Sequence, residues 1–479
     1  MVEGQFRRAV GGVCLALGLL SGAAQAQQPP TAAPPPEPPA TQKPPPEKER
    51  ANRQPVPSDQ ARNYQVEPGT EPEDVALFVP RLVLAVPRYA LKLVFFPIRE
   101  GIEFLDRHAI VEKVTDVLYN DARTAAILPT FTVDSTFGPS FGLKAFHRDL
   151  AGHDEYGSIE ARFGGMYKLA SQLHFRAEHF GGTRLWLESV ARFESEPGLL
   201  FQGIGNAPAG ERVGLADPRE IAVKTRFSEQ RYLALLRSGY TMGRPGGMLQ
   251  VGGSAIYNVR DFGLRERGSG QSIEQVYDTT KLVGFNDRVA TVEGDANLVI
   301  DLRDVAGATA NGAYFELFAG RVPSLGGPYQ YWHHGAELAG YFDLYKRTRV
   351  LVARAFIEGV EGKDSEIPFT DLPRLGGPNR LRGYSLDRFR DEKAVVGTLE
   401  YHYPIHQYVA GALYVDAGRV DRNYSDLFGG AWHLGAGGGF IVRSRDRQLF
   451  TFDIAYGDGI HFYVTTDPLR AFSKRDTEL

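Results

Sequence analysis

Cysteine is nearly absent from this chain, with one residue, Cys14, among 479. A lone thiol makes neither an intrachain disulfide nor a thiolate metal site, so the fold rests on neither. Charge of one sign is also lacking: the formal net charge is −4 and the sequence pI ≈ 6.3. No basic field recommends nucleic acid as a partner. The apolar run from Ala9 to Leu20 falls short of the ~20 residues that carry a helix across a bilayer. Neither a phosphate-binding glycine loop nor an HExxH pair occurs. His174 and His179 stand five apart and His333 and His334 are adjacent, spacings that on a strand place each pair on opposite faces and argue against a shared metal. No spacing singles out a catalytic triad, and the expectation is a non-enzyme without a cofactor.

Met (4) and Trp (3) are scarce, whereas Gly (54), Phe (29) and Tyr (22) abound, a composition suited to many short strands and tight turns. Arg7 and Arg8 precede the Ala9–Leu20 run, and Ala24-Gln25-Ala26 supplies small residues for cleavage, so residues 1–26 read as a secretory signal peptide. Cleavage after Ala26 removes Cys14 with it. Residues 27–68 are rich in proline and poor in anything to bury, and read as an extended linker.

From 69 to 126 the pattern is helical. Arg81, Arg88, Lys92 and Arg99 are spaced 7, 4 and 7, which at 3.6 residues per turn gathers them in one stripe on an otherwise apolar surface. Pro80, Pro87 and Pro97 divide any helix they enter. The expectation is short broken helices in a membrane interface, with those four cations toward headgroups. Packing against protein as a small subdomain or plug is the alternative.

Beyond Ile127 the period becomes two. In "RTRVLVARAFIEG" Leu351, Ala353, Ala355 and Ile357 oppose Val352, Arg354, Phe356 and Glu358, and in "QLFTFDIAYG" Phe452, Ile454 and Tyr456 oppose Thr451, Asp453 and Ala455. About sixteen such runs occur, eleven before residue 374 and five after 391. Many approach the ten residues of a tilted transmembrane strand, and their second faces carry charges such as Arg176, Glu188, Arg192, Arg354 and Glu358. A secreted β-sandwich would have to bury those charges. An antiparallel transmembrane β-barrel of about sixteen strands, residues 127–472, preceded by short periplasmic helices, turns them into a water-filled lumen.

One loop stands apart. "RLGGPNRLRGYSLDRFRD", 374–391, holds Arg374, Arg380, Arg382, Arg388 and Arg390 together with Gly376, Gly377 and Gly383. The strands that follow, "VVGTLEYHYPI" and "VAGALYVDAGRV", place Glu400 and Asp416 on the inward face by alternation. A loop folded back into the lumen, turning at Gly376 and Gly377, brings Arg382 to both carboxylates. A guanidinium fork is suited to bridging them.

The ordered motifs "LRGY" (381–384), "LEYHYP" (399–404) and "LYVDAG" (413–418) resemble the barrel of the BamA/TamA family, the bacterial surface-antigen superfamily. "GLLFQGIGNAP" (198–208) is similar to an early-barrel loop of the same proteins. The resemblance implies that Arg382, Gly383 and Tyr384 form a loop tip inside the lumen with Arg382 bound by Glu400 and Asp416. Leu381 stands where the family carries a β-branched residue. It also implies the outer membrane of a Gram-negative bacterium, a monomeric barrel, and as partners outer-membrane lipids and unfolded outer-membrane or secreted proteins. The family's periplasmic POTRA modules have no counterpart in 27–126, so the chain resembles a POTRA-less branch. Three functions remain open: an assembly or translocation factor using a weak seam between first and last strands, a gated or passive channel, and a structural or membrane-remodelling barrel.

Overall fold

Sixteen long strands follow one another in chain order, each antiparallel to the next. They are β1 (Ala125–Asp134), β2 (Gly138–His147), β3 (Tyr156–Gly164), β4 (Tyr167–Ala177), β5 (Leu185–Phe201), β6 (Thr225–Arg244), β7 (Gly247–Leu264), β8 (Val289–Asp301), β9 (Gly312–Val322), β10 (Tyr331–Tyr345), β11 (Arg349–Gly362), β12 (Lys393–His406), β13 (Val409–Asp421), β14 (His433–Arg443), β15 (Gln448–Tyr456) and β16 (Ile460–Thr465). The computed structural model describes residues 118–465 apart from 135–136, 211–213, 245–246, 306–308, 325–326, 407–408 and 444–447. The expected signal peptide, the linker and the stretch bearing Arg81, Arg88, Lys92 and Arg99 lie outside the described residues. Eleven strands precede the arginine-rich loop and five follow it, as the alternation predicts, and β1 starts two residues earlier than expected.

The wall closes where β1 meets β16, with Val133 opposite Val464 and Asp134 opposite Tyr463. Period two decides which side chain meets which medium. Leu143, Leu173, Leu338, Leu399 and Leu413 are exposed on the outer surface, and their neighbours Glu160, Glu188, Glu337, Glu400 and Asp416 are buried inside. Among the described residues no helix is long and apolar enough to cross a membrane.

Connections alternate between the two ends. The long ones, 202–224, 265–288 and 363–392, fall at the same end, whereas 178–184 and 346–348 at the other are short. Long loops mark the outer face of such barrels. β5, β6 and β7 run 17, 20 and 18 residues, well past the ~10 that span a bilayer, and their surplus carries a cap. There Phe201, Phe227, Ile273, Tyr277, Leu282 and Phe285 form an apolar core with Ile367, Phe369 and Leu372 of the 363–392 loop. The Phe369 ring lies 5.2–5.9 Å from those of Phe201, Phe227, Phe262 and Phe285.

The lumen departs from the expected water-filled channel. Its acids are buried and paired: Glu188 meets His174, Arg176 and Arg237 of the neighbouring strands, Glu194 meets Arg192 of its own strand and Arg231 of the next, and Glu229 meets Arg260. The reason is spatial. The 363–392 loop occupies the interior, and inward ion pairs close against one another rather than against bulk water.

Candidate functional site

The 363–392 loop enters the barrel as a narrow ribbon in which Arg374–Leu375 pairs with Phe389–Arg390. Gly376 and Gly377 both have positive φ, and a Cβ on Gly376 would overlap the Ser385 carbonyl oxygen, so the crossing needs glycine there. Leu375, Leu381, Tyr384 and Phe389 pack against Phe318, Phe356, Val396 and Val420 of the wall. The loop is therefore seated by apolar contact as well as by charge.

At the tip Arg382 is 3% exposed, Glu400 1% and Asp416 0%. The Arg382 Nε donates to Asp416 Oδ2 at 2.8 Å and Nη2 to Oδ1 at 2.9 Å, a two-pronged pair, while Nη1 donates to Glu400 Oε2 at 2.9 Å. The Arg382 backbone N–H adds a bond to Asp416 Oδ2 at 2.9 Å, and the guanidinium lies 3.3 Å from the Tyr414 ring centroid. One cation faces two carboxylates, and further donors meet the surplus charge: Thr398 Oγ1 to Asp416 Oδ1 at 2.8 Å and His402 Nε2 to Glu400 Oε1 at 2.6 Å. In so dry a place each charge depends on every one of these partners.

Gly383 follows with φ 92°, where a Cβ would lie 2.6 Å from the Tyr456 carbonyl carbon. Its carbonyl accepts from Asp458 N at 3.0 Å. Tyr384 donates its hydroxyl to the Leu434 carbonyl at 3.1 Å. The Arg382 carbonyl oxygen rests against Gly435 so closely that any Cβ there would overlap it.

Other anchors surround this one. Asp371 accepts from Arg260 of β7 at 2.6 Å and from the Tyr331 hydroxyl of β10 at 2.7 Å. Arg380 donates to Glu358 at 2.6 Å, and Glu358 joins His333, which also meets Glu293 at 3.0 Å. Arg388 donates to the carbonyls of Gln202 and Ala207, and the Arg390 carbonyl accepts from Gly205 N at 2.7 Å. The 198–208 stretch singled out in the sequence is thus a clasp on the arginine loop, with Asn206 also bonding the Val420 carbonyl and His433. Arg390 is the exception. It is fully buried beside the Phe201 and Phe369 rings, has no ion pair among the described residues, and burial pushes its guanidinium down to about 10.

The structure thus brings Arg382, Gly383, Tyr384, Glu400 and Asp416 together, with Gly376 and Gly377 at the base of the tip. Sequence reading did not assign Thr398, His402, Tyr414, Gly435 and Tyr463 to the site; alternation puts Thr398 and His402 on the inward face with Glu400, and Tyr414 with Asp416, but no local signal marks Gly435 or Tyr463. It also passed over Gly138-Pro139-Ser140-Phe141-Gly142, which spells the G-x-S-x-G string of serine hydrolases. That string lies within β2, not at a strand-to-helix turn, and Ser140 Oγ bonds Thr132, so the nucleophile-elbow context is missing. Among the described residues no cluster of His, Cys, Asp and Glu is arranged to hold a metal.

No curated protein matches the chain in sequence. Among solved structures, BamA from Haemophilus ducreyi lacking POTRA domains 1–3 aligns at a TM-score of 0.51 with 14% identity, over 71% of this chain and 70% of that one. CdiB from Escherichia coli aligns at 0.48 with 9% identity, over 71% and 62%, and CdiB from Acinetobacter baumannii at 0.42 with 10%, over 71% and 59%. The Omp85 superfamily domain matches residues 150–462, from the turn before β3 into β16. With that match spanning most of the barrel, the chain belongs to the Omp85 superfamily of outer-membrane β-barrels.

Proposed function

We propose that this barrel works in the outer membrane of a Gram-negative bacterium in outer-membrane biogenesis, handling unfolded outer-membrane or secreted proteins at its wall rather than conducting solutes along its axis. The observation that carries this reading is a contrast between axis and wall. Along the axis, the Arg382 loop fills the interior and an aromatic core sits at the mouth. In the wall, β1 meets β16, with Val133 opposite Val464 and Asp134 opposite Tyr463. The first and last strands are neighbours in the wall with no connecting turn between them, so the wall can part there without stretching a loop. Superfamily membership and the BamA-like fold support protein clients. Depleting the protein and comparing outer-membrane proteomes tests this: selective loss of other barrel or secreted proteins is expected, and an unchanged proteome removes the reading.

A gated channel is the second reading. A cavity of ≈ 320 Å³ lies between the loop and the β7–β11 wall, lined by Arg260, Glu293, Asp295, His333 and Arg380, and offers a polar route if the loop shifts. Planar-bilayer recordings decide it. Steady conductance from the parent protein favours the channel, and silence favours the first reading.

A further inference from the structure

Tyr463 of β16 has two attachments that belong to different parts of the molecule. Its backbone stands opposite Asp134 of β1 at the closing seam. Its side chain, 3% exposed and packed with Tyr414 and Ala455, points inward to the loop tip. There the hydroxyl donates to the Tyr384 carbonyl at 3.0 Å and accepts from the Gly383 N–H at 3.4 Å. One hydroxyl thus satisfies the backbone on both sides of the Gly383–Tyr384 peptide link, next to the anchored Arg382. The adjacent turn adds Asp458 N–H to the Gly383 carbonyl at 3.0 Å.

We propose that Tyr463 is a positioning residue that couples the loop tip to closure of the barrel, so that the tip is docked when the seam is paired and loosens when it parts. The inference rests on the reading of Arg382 as the loop anchor and adds what that anchor communicates with. Two facts point the same way. Tyr463 is one of the β16 residues that stand opposite β1 at the closing seam. The Gly383 N–H it binds has little room to turn toward another partner, because Gly383 already abuts the Tyr456 carbonyl. Parting β16 from β1 moves the hydroxyl: the buried Gly383 N–H loses this acceptor and the Tyr384 carbonyl keeps only the Gly377 N–H at 3.1 Å, which is costly in a dry site. Coupling of this kind is reciprocal, so loosening the tip must loosen the seam.

Hydrogen exchange of the full barrel in detergent reads both ends at once, with peptides covering 125–134, 380–388 and 460–465. Tyr463→Phe removes the hydroxyl and keeps the ring. Exchange is expected to quicken at the tip and at Val133 and Asp134 together, on the order of five-fold, as loss of one ordinary hydrogen bond predicts. Tyr384→Phe removes a hydroxyl bond from the tip to β14 instead, and is expected to quicken the tip alone. Arg382→Lys in the parent is expected to quicken both ends, and in the Tyr463→Phe background to add nothing at β1. That reciprocal arm stands even if Tyr463→Phe folds poorly. A loosened tip with an unchanged seam in Arg382→Lys or Tyr463→Phe overturns the coupling and leaves the anchor intact. An unchanged tip in Arg382→Lys removes the anchor reading and this inference with it.

Discussion

Two arginines eight positions apart show how burial alone does not decide what a charge contributes. Arg382 is enclosed by acceptors. Asp416 alone receives its backbone N–H, Nε and Nη2, together with the Thr398 hydroxyl. Arg382→Ala leaves two carboxylates facing each other, and is expected to cost about 3 to 5 kcal/mol, the range for breaking a buried pair. Asp416→Asn ranks next because its amide NH2 must face two of the four donors that Asp416 accepts from, and Glu400→Gln costs least because the other carboxylate still holds the guanidinium. Arg382→Lys recovers part, since an ammonium cannot reproduce the fork. Transition temperatures of heat-modifiable migration on gels give the ranking, and an Arg382→Ala transition equal to the parent's would show that the trio holds nothing. Arg390 is as deeply buried but lacks an acid partner among the described residues, with the Phe369 carbonyl 3.5 Å from Nη1. Its depressed guanidinium says the site disfavours the cation. Arg390→Met is therefore expected to fall within about 1 kcal/mol of the parent or above it. A loss as large as that of Arg382→Ala would mean that the cation has a partner in the folded chain.

Among the elements, β14 owes its role to what it lacks. Gly435 presents bare backbone to the Arg382 carbonyl, and neither side can retreat, one being a paired strand and the other a tip fixed by four hydrogen bonds to acids. Gly435→Ala is expected to displace the tip, raising maleimide labelling of Ser385→Cys several-fold over the same probe in an otherwise parental chain. Equal labelling would mean that the strand yields. This contact was not legible in "HLGAGGGFIV", because nothing local says which glycine another segment will approach. The strands themselves were legible, since alternation is a local property written into every run, and so were Glu400 and Asp416, whose inward placement follows from register with Leu399 and Val415. The filled lumen was not: alternation separates inside from outside but is silent on what occupies the inside. The same limit hid the Phe369 cluster, whose rings come from five separate segments. For the basic stretch before the barrel the periodicity stands alone. A peptide covering 74–100 is expected to bind anionic vesicles and to release when Arg81, Arg88, Lys92 and Arg99 become Gln. Equal binding by the neutral peptide would make the stripe incidental.

At the scale of the whole molecule, the placement of the anchor acids orders events in time. Arg382 reaches Glu400 across 18 positions and Asp416 across 34, whereas Val133 must find Val464 across the entire barrel. The entropy of closing a loop grows with its length, roughly as the logarithm, so the short closures come first, and contacts distant in sequence form slowly. The acids that bind Arg382 lie C-terminal to it, on β12 and β13, and the wall residues its loop packs against on the other side, Phe318 and Phe356, belong to β9 and β11. The C-terminal strands can therefore gather around the loop as a half-cylinder with its plug already seated, before β1 arrives. Pulse-labelled exchange during refolding into detergent is expected to protect peptides spanning 380–421 ahead of 125–134, and the reverse order would refute the sequence of steps. A barrel assembled in this order never has to thread a charged loop into a finished pore. The five arginines cross into the interior while one side is still open to water, and shed their hydration only as the last strand pair forms.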